Sequence, residues 1–394
     1  MNLTQAQAIQ TRGDYRRGLT DWFVFALAVV FAIGVRFAMR EYLTSDYVNY
    51  TSKWYAAVQQ HGFAAAGTAV SNYTPPYLYL LWGVSRVFPA ISPVIAIKIP
   101  SILFDFVCAF FVFRLVSLRS PGGRLPLFAA VAVLLAPTVL ANSSLWGQAD
   151  SIYAAMLLAC VYALMTGHGA WAMVAFGLGL SIKFQTMFMA PALCALWLRR
   201  VIPSWAPLLV PVVYALAMVP AWLAGRPAAE LASVYLTQSV TYHQLTKNAP
   251  SLYAWLPQSQ YELLVPAGLA LMTAIGCYFV WRVWKSRAAL TPPLILELCL
   301  LSLIMTPFFL PKMHDRFFFP ADVLAIAYAW YFPRRYHVPV AAGFASFFAY
   351  APFLLHRPMV PLPLLSLVMF VALLSVAWPV LGALNGAPED AGQA

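Results

Sequence analysis

The chain has 394 residues, of which 62% are hydrophobic and 9% charged, with a formal net charge of +11; ordinary soluble domains run at roughly 45–50% apolar and about 25% charged. That surplus cannot be hidden in a water-soluble core, and apolar runs without period-2 alternation exclude a β-barrel, which leaves a bundle of membrane helices. The basic residues sit in short clusters between apolar runs, the pattern of a topology signal and not of a nucleic-acid patch.

A basic stretch ending at Arg16 and Arg17 precedes the first apolar run, and no small-residue cleavage site follows before Arg36, Arg40 and Glu41, so an uncleaved first helix is expected. Counting stretches long enough to cross a bilayer gives about twelve spans. They lie near 20–39, 94–117, 125–141, 150–167, 170–183, 185–198, 205–224, 263–283, 292–310, 320–333, 338–355 and 362–384. The pair meeting at Lys183 reads as broken or re-entrant. The expected fold class is all-α: one polytopic transmembrane domain over 1–394, without an internal repeat and with low complexity only in the polar tail from Gly386 to Ala394. The five cysteines are scattered singly in apolar segments and read as small buried hydrophobes.

The clusters Arg12/Arg16/Arg17, Arg114/Arg119/Arg124, Arg199/Arg200, Arg282/Lys285/Arg287 and Arg334/Arg335 fall on one side, which the positive-inside rule makes cytoplasmic. The opposite side carries residues 40–93, 142–150, 225–262 and 311–319. In the first of these, Pro75 and Pro76 open an amphipathic helix over 76–88, expected to lie in the interface among Trp54, Tyr55, Tyr77, Tyr79 and Trp82. An aromatic belt accounts for the same residues.

Acidic residues are scarce, so their positions inform. Asp46 follows the first span at the mouth of the bundle, where a carboxylate can serve as general base or as a helix cap. Asp150 closes Ser144-Leu-Trp-Gly-Gln-Ala-Asp150, in which Trp146 offers a stacking face and Gln148 and Asp150 offer hydrogen bonds to sugar hydroxyls; a capped turn with an interfacial Trp explains them equally. Asp105 and Glu297 fall inside spans and fit either a proton path or helix packing. The outer cations Lys98, Lys183, Lys247, Lys312, His314 and Arg316 suit a phosphate at the membrane surface or headgroup anchoring. Motifs for a nucleotide cradle, a Ser-His-Asp triad or a zinc site are absent from the sequence.

Taken in order, Asp46-Tyr-Val-Asn-Tyr50, Asn72-Tyr-Thr-Pro-Pro-Tyr-Leu-Tyr-Leu80, Trp146-Gly-Gln-Ala-Asp150, Ser181-Ile-Lys-Phe-Gln185, Lys247-Asn-Ala-Pro250 and Met313-His-Asp-Arg-Phe-Phe-Phe-Pro320 resemble the GT-C fold glycosyltransferases. Within that group the chain looks most like bacterial relatives of the second mannosyltransferase of glycosylphosphatidylinositol assembly. The resemblance implies Asp46 as catalytic base. It implies Asp150, Gln148, Trp146, Tyr73 and Tyr77 as sugar- or acceptor-binding residues, and Lys247, His314, Arg316 and Lys183 around the donor phosphate. Asp315 stands where such proteins often carry Glu.

The function so implied is inverting transfer of one hexose, mannose first, from a polyprenyl-phosphate carrier to a lipid-linked or glycan acceptor. It would act in the bacterial inner membrane, at the periplasmic or exterior face, with membrane lipids and no nucleic acid as partners. No cofactor is required, and no convincing metal-ligand cluster is visible, although Asp46, Asp150 and His314 can recruit a divalent ion. The alternative is a transporter or flippase of a lipid-linked or small anionic substrate, against which the large aromatic first loop and the missing repeat both weigh.

Overall fold

A computed structural model describes residues 18–239 and 242–386. Arg12, Arg16, Arg17 and the tail beyond Gly386 lie outside the described residues. Almost everything described is helical, as backbone amides in lipid demand. The helices are α1 (Leu19–Ala38), α2 (Ser52–His61), α3 (Pro75–Val87), α4 (Pro93–Arg119), α5 (Leu125–Leu135), α6 (Asp150–Met165), α7 (Gly169–Leu180), α8 (Ala190–Leu198), α9 (Leu209–Leu223), α10 (Ala228–Ser239), α11 (Tyr261–Lys285), α12 (Pro292–Phe309), α13 (Phe319–Tyr331), α14 (His337–Ala349) and α15 (Leu362–Leu384).

Every apolar stretch predicted to span does form helix, but the count of twelve spans is not confirmed. Among the described residues, seven helices are long and apolar enough to cross a membrane, or eight if a bent pair is one span. The segments Asp150–Met165, Gly169–Leu180 and Phe184–Leu198 are shorter than that, and at 1.5 Å per residue none reaches the roughly 30 Å of a hydrocarbon core without tilt or thinning. The chain is a multi-pass integral membrane protein. α12 is its central helix, with 83% of its apolar window buried in protein, whereas only 11% of the window in α1 is covered, so Phe23, Leu27 and Phe31 face outward as lipid-facing side chains do. Three cysteines, Cys108, Cys160 and Cys299, are buried as expected; Cys194 and Cys277 are exposed instead, on helix faces that lipid rather than protein would cover.

Breaks in the helices are chemically marked. Ala136 precedes Pro137 and is extended (φ −59°, ψ 128°), as a residue before proline prefers, and the chain bends by 42° there before continuing through a π-helical stretch, Leu140–Trp146. α7 ends at Leu180, and the buried carbonyls of Ser181 and Ile182 that follow it accept hydrogen bonds from Thr74 Oγ1 (2.7 and 3.0 Å). Thr74 immediately precedes α3, so one hydroxyl ties the first long loop to the break expected at Lys183. α3 itself occupies the predicted 76–88 region, with Tyr77, Leu78, Leu81 and Val84 turned inward.

Ion pairs bind the bundle where helices approach end to end. Arg36 of α1 donates to Asp105 of α4 through Nε (3.2 Å) and Nη2 (2.9 Å), and to the Leu134 carbonyl through Nη1 (2.8 Å). Ser143 adds a 2.6 Å hydrogen bond to the same carboxylate. Arg335 pairs with Glu297 at 2.6 Å. Both intramembrane acids are therefore committed to arginines that pin helices together, the packing alternative for these residues and not the proton path. At the end remote from these loops, Arg124 pairs with Asp21 (2.9 Å) and Arg199 donates to the carbonyls of Val283, Ser286 and Ala288, all at 2.8 Å, which gathers several basic clusters at one end.

Removing one member of a buried pair strands the other charge, at a cost of about 3–5 kcal/mol. Asp105→Ala is expected to lower the thermal midpoint of detergent-solubilised protein sharply, and the double variant Arg36→Met/Asp105→Leu to recover much of the loss; equal midpoints for both would show that the pair does not brace α1.

Candidate active site

Four stretches meet at the end of the bundle opposite those basic clusters. The first enters from α1. Thr44 Oγ1 accepts the Tyr47 amide (3.3 Å), and Asp46 starts a π-helical turn, Tyr47–Thr51, that leads into α2. Asp46 is half-buried. Its Oδ2 accepts two hydrogen bonds, from Trp146 Nε1 (2.9 Å) and Gln148 Nε2 (2.7 Å). Tyr73 donates its hydroxyl to Gln148 Oε1 (3.1 Å).

Trp146 and Gln148 come from the second stretch, which Gly147 turns in the left-handed region (φ 77°). A Cβ on Gly147 would meet Lys98 Cγ at 3.3 Å, so the turn needs glycine for both conformation and space. Lys98, one of the outer cations, closes the end of α1 by donating to the carbonyls of Met39 (3.0 Å) and Tyr42 (2.9 Å). Asp150 opens α6, where the helix dipole favours an anion. Asn142 Nδ2 donates to one of its oxygens (2.8 Å), Lys183 holds the other at 2.5 Å, and Arg316 Nε lies 3.7 Å away.

The third and fourth stretches are joined by the only strands among the described residues. Thr246–Lys247 pairs in parallel with Met313–His314, Thr246 opposite Met313 and Lys247 opposite His314. Leu245 accepts the Lys312 amide (2.7 Å) and Lys247 the Asp315 amide (2.9 Å). This pairing sets Lys247, His314, Asp315 and Arg316 side by side from residues more than sixty apart in the chain.

The electrostatics of the group are uneven. Burial and the neighbouring Arg316, Lys247 and Lys183 charges push His314 down to about 2, so the imidazole is neutral at working pH. Lys247 is lowered by burial and by Arg316. Burial raises Asp315 to about 7 despite the Arg316 guanidinium beside it. Arg316 loses by burial but gains more from Tyr73, Asp150, Asp315 and Asp46, and stays charged. Arg316 and Lys247 are thus the two cations not consumed by a tight carboxylate pair.

The structure brings Asp46, Tyr73, Trp146, Gln148, Asp150, Lys183, Lys247, His314 and Arg316 into one neighbourhood, and alters what several of them can do. Trp146 is 3% exposed; Phe353 stacks on it at 4.2 Å and the Arg316 guanidinium lies 5.1 Å from its ring centre, so it has no free face for a sugar. Asp150 is fully buried, with both oxygens engaged, and Lys183 is spent on it, so neither is free for a hydroxyl or a phosphate. Gln148 has both ends of its amide occupied. Tyr77 is buried under Tyr73 and Trp54 (ring centres 5.4 and 6.2 Å) and does not line the site. Asn142, Thr74, Tyr350 and Phe353 complete the site unforeseen. Asn142 lay in a visible polar interruption, while Phe353 carried no signal at all. Among the described residues no three His, Cys, Asp or Glu side chains gather where a metal ion could be held.

No family model matches the sequence, and no curated protein matches it. Solved structures do. ArnT from Cupriavidus metallidurans bound to undecaprenyl phosphate superposes with a TM-score of 0.55 at 16% identity, over 94% of this chain and 79% of that one. The apo state of the same protein gives 0.54 at 16% identity, over 93% and 78%. These neighbours support the GT-C part of the sequence resemblance and lend nothing to its mannosyltransferase branch.

Asp315 generates a pH expectation. Below about 7 it is protonated, and Arg316 and Lys247 are offset only by Asp150 and Asp46; above about 7 a further carboxylate forms 3.7 Å from Arg316 Nη1. A phosphodiester, whose single charge is constant over this range, should bind several-fold more weakly as pH rises through 7. Titration calorimetry checks this, and Asp315→Asn should flatten the dependence. The chain shares the predominantly helical fold of the ArnT structures, the GT-C type.

Proposed function

We propose that this protein is an inverting glycosyltransferase that moves one sugar from a polyprenyl-phosphate carrier to a lipid-linked or glycan acceptor. One observation carries the reading: a half-exposed carboxylate, Asp46, stands beside a cationic corner built by Lys247 and Arg316, on a fold that in ArnT has been seen with undecaprenyl phosphate. Base and anion site next to each other are what transfer from a phosphate-linked donor requires.

The chemistry follows from charge. The donor's sugar is bound to an anionic phosphate, a competent leaving group. Asp46 takes the proton of the acceptor hydroxyl as its oxygen attacks the anomeric carbon. The bond from that carbon to the phosphate oxygen breaks, and its electron pair leaves with the phosphate. Arg316, able to reach two oxygens at once, and Lys247 stabilise the charge that gathers there. Neutral His314 can donate one hydrogen bond to the same phosphate. A single displacement inverts the anomeric centre. Asp150 and Lys183 serve in this scheme as the buried frame that holds Arg316 in place.

The finer assignments rest on the sequence resemblance. Mannose is the first candidate sugar, and a glycolipid or growing glycan the first candidate acceptor. The basic clusters, read by the positive-inside rule as cytoplasmic, support an outer-face site in a bacterial inner membrane.

Purified protein in vesicles, supplied with a lipid extract as acceptor source and polyprenyl-phosphate mannose, glucose, galactose or arabinose, is expected to release polyprenyl phosphate with one of them. Asp46→Asn should still bind that donor but turn it over at least about 100-fold more slowly, the scale of a lost general base. Arg316→Lys keeps the charge but not the fork and should weaken donor binding about 10-fold. Failure to consume any of the four donors would send the search to transport.

A further inference from the structure

The Asp46 carboxylate is not symmetric. Both hydrogen bonds it accepts from side chains land on Oδ2, from Trp146 Nε1 at 2.9 Å and Gln148 Nε2 at 2.7 Å, and Oδ1 accepts none that is recorded among the described residues. We propose that Trp146 and Gln148, with Tyr73 acting through Gln148, are positioning residues that fix the plane of the Asp46 carboxylate and reserve Oδ1 as the oxygen that takes the acceptor's proton. The inference rests on the transferase reading above and assigns these three side chains a role different from sugar binding.

Three features of the geometry support it. The terminal torsion of an aspartate is broad and two-fold, so an unsupported carboxylate presents either oxygen. Two charge-assisted donors on one oxygen remove that freedom. Each donor is itself immobilised. The Trp146 ring is held by Phe353 (4.2 Å, interplanar 17°) and by the edge of Tyr350 (5.6 Å). The Gln148 amide cannot reverse, because reversal would set its oxygen against an acceptor-only carboxylate; the Tyr73 hydroxyl donating to Oε1 fixes the same orientation from behind. Finally, the two donors are two residues apart on a backbone pinned at both ends. The Gln148 amide donates to the Asn142 carbonyl (3.0 Å) and Thr44 Oγ1 reaches the Trp146 carbonyl (3.5 Å). Thr44 also holds the turn that carries Asp46, so base and donors share one brace.

A role through Asp46 differs from a role in sugar binding by its coupling pattern. Gln148→Met deletes a donor while keeping bulk, and Trp146→Phe deletes one while keeping an aromatic ring against Phe353. Each is expected to lower kcat for the hydroxyl acceptor about 10- to 100-fold, with KM for the donor changed less than about 3-fold and the thermal midpoint unchanged. Tyr73→Phe should lower kcat less, by several-fold. The double variant Tyr73→Phe/Gln148→Met should be no slower than Gln148→Met alone, because Tyr73 acts through the amide that is already gone. Independent, multiplying losses in the double variant, or losses that fall on donor KM, would overturn the positioning role and return these residues to substrate binding. An active wild type whose Gln148→Met and Trp146→Phe variants turn over normally would overturn it alone. A wild type inert toward every polyprenyl-phosphate sugar would overturn the transferase reading and this inference together.

Discussion

A carboxylate with no solvent exposure, Asp150, organises this end of the molecule. Burying an ion inside an apolar bundle is tolerable only when its lone pairs are met and its charge is matched, and Asp150 recruits its own preceding turn and two distant stretches to do so. Asn142 reaches it from the π-helical turn before α6, Lys183 from the break between α7 and α8, and Arg316 from the loop after the second strand. The requirement runs both ways: each partner's segment is held where it is because the carboxylate needs it. Asp46, Lys247 and His314 then take their places on segments whose positions are already decided.

Two carboxylates in this network, Asp46 and Asp150, do opposite work because their surroundings differ. Asp150 is dry and fully engaged; Asp46 is half-exposed and engaged on one oxygen only. The short stretch from Asn142 to Asp150 serves both of them. Its π-helical winding and its left-handed glycine point Asn142 at one carboxylate and Trp146 and Gln148 at the other, a divergence that a regular α-helix could not produce.

How much of this was legible depended on whether the signal was local. Each apolar run became a helix because hydropathy and proline positions act within a segment. The number of crossings was not legible, since a run such as Gly169–Leu180 has the same apolarity whether it traverses lipid or folds back inside the protein. Asp46 stood out because acids are rare in this chain, and the resemblance grouped Lys247 with His314, although nothing local to either segment signalled that they pair as strands. That Lys183 neutralises Asp150 depends on a fold bringing together residues thirty-three apart, and that Trp146 is covered by Phe353 depends on a late helix returning to the site. The sequence therefore supplied the membership of the site better than the roles, because roles are decided by which lone pair meets which donor.

The pair of two-residue strands has a further implication. In a parallel ladder successive side chains alternate between faces, and a slip of one residue exchanges them. Lys247 and His314 sit opposite each other, flanked by Asn248 (φ 58°) and Lys312 (φ 65°) in the left-handed region. The chemistry of the cationic corner is thus stored as a register between two loops. Gaining or losing a single residue in either would leave the composition of the site intact while pointing its charges the wrong way, so the lengths of these loops are under tighter physical constraint than most of the residues in them.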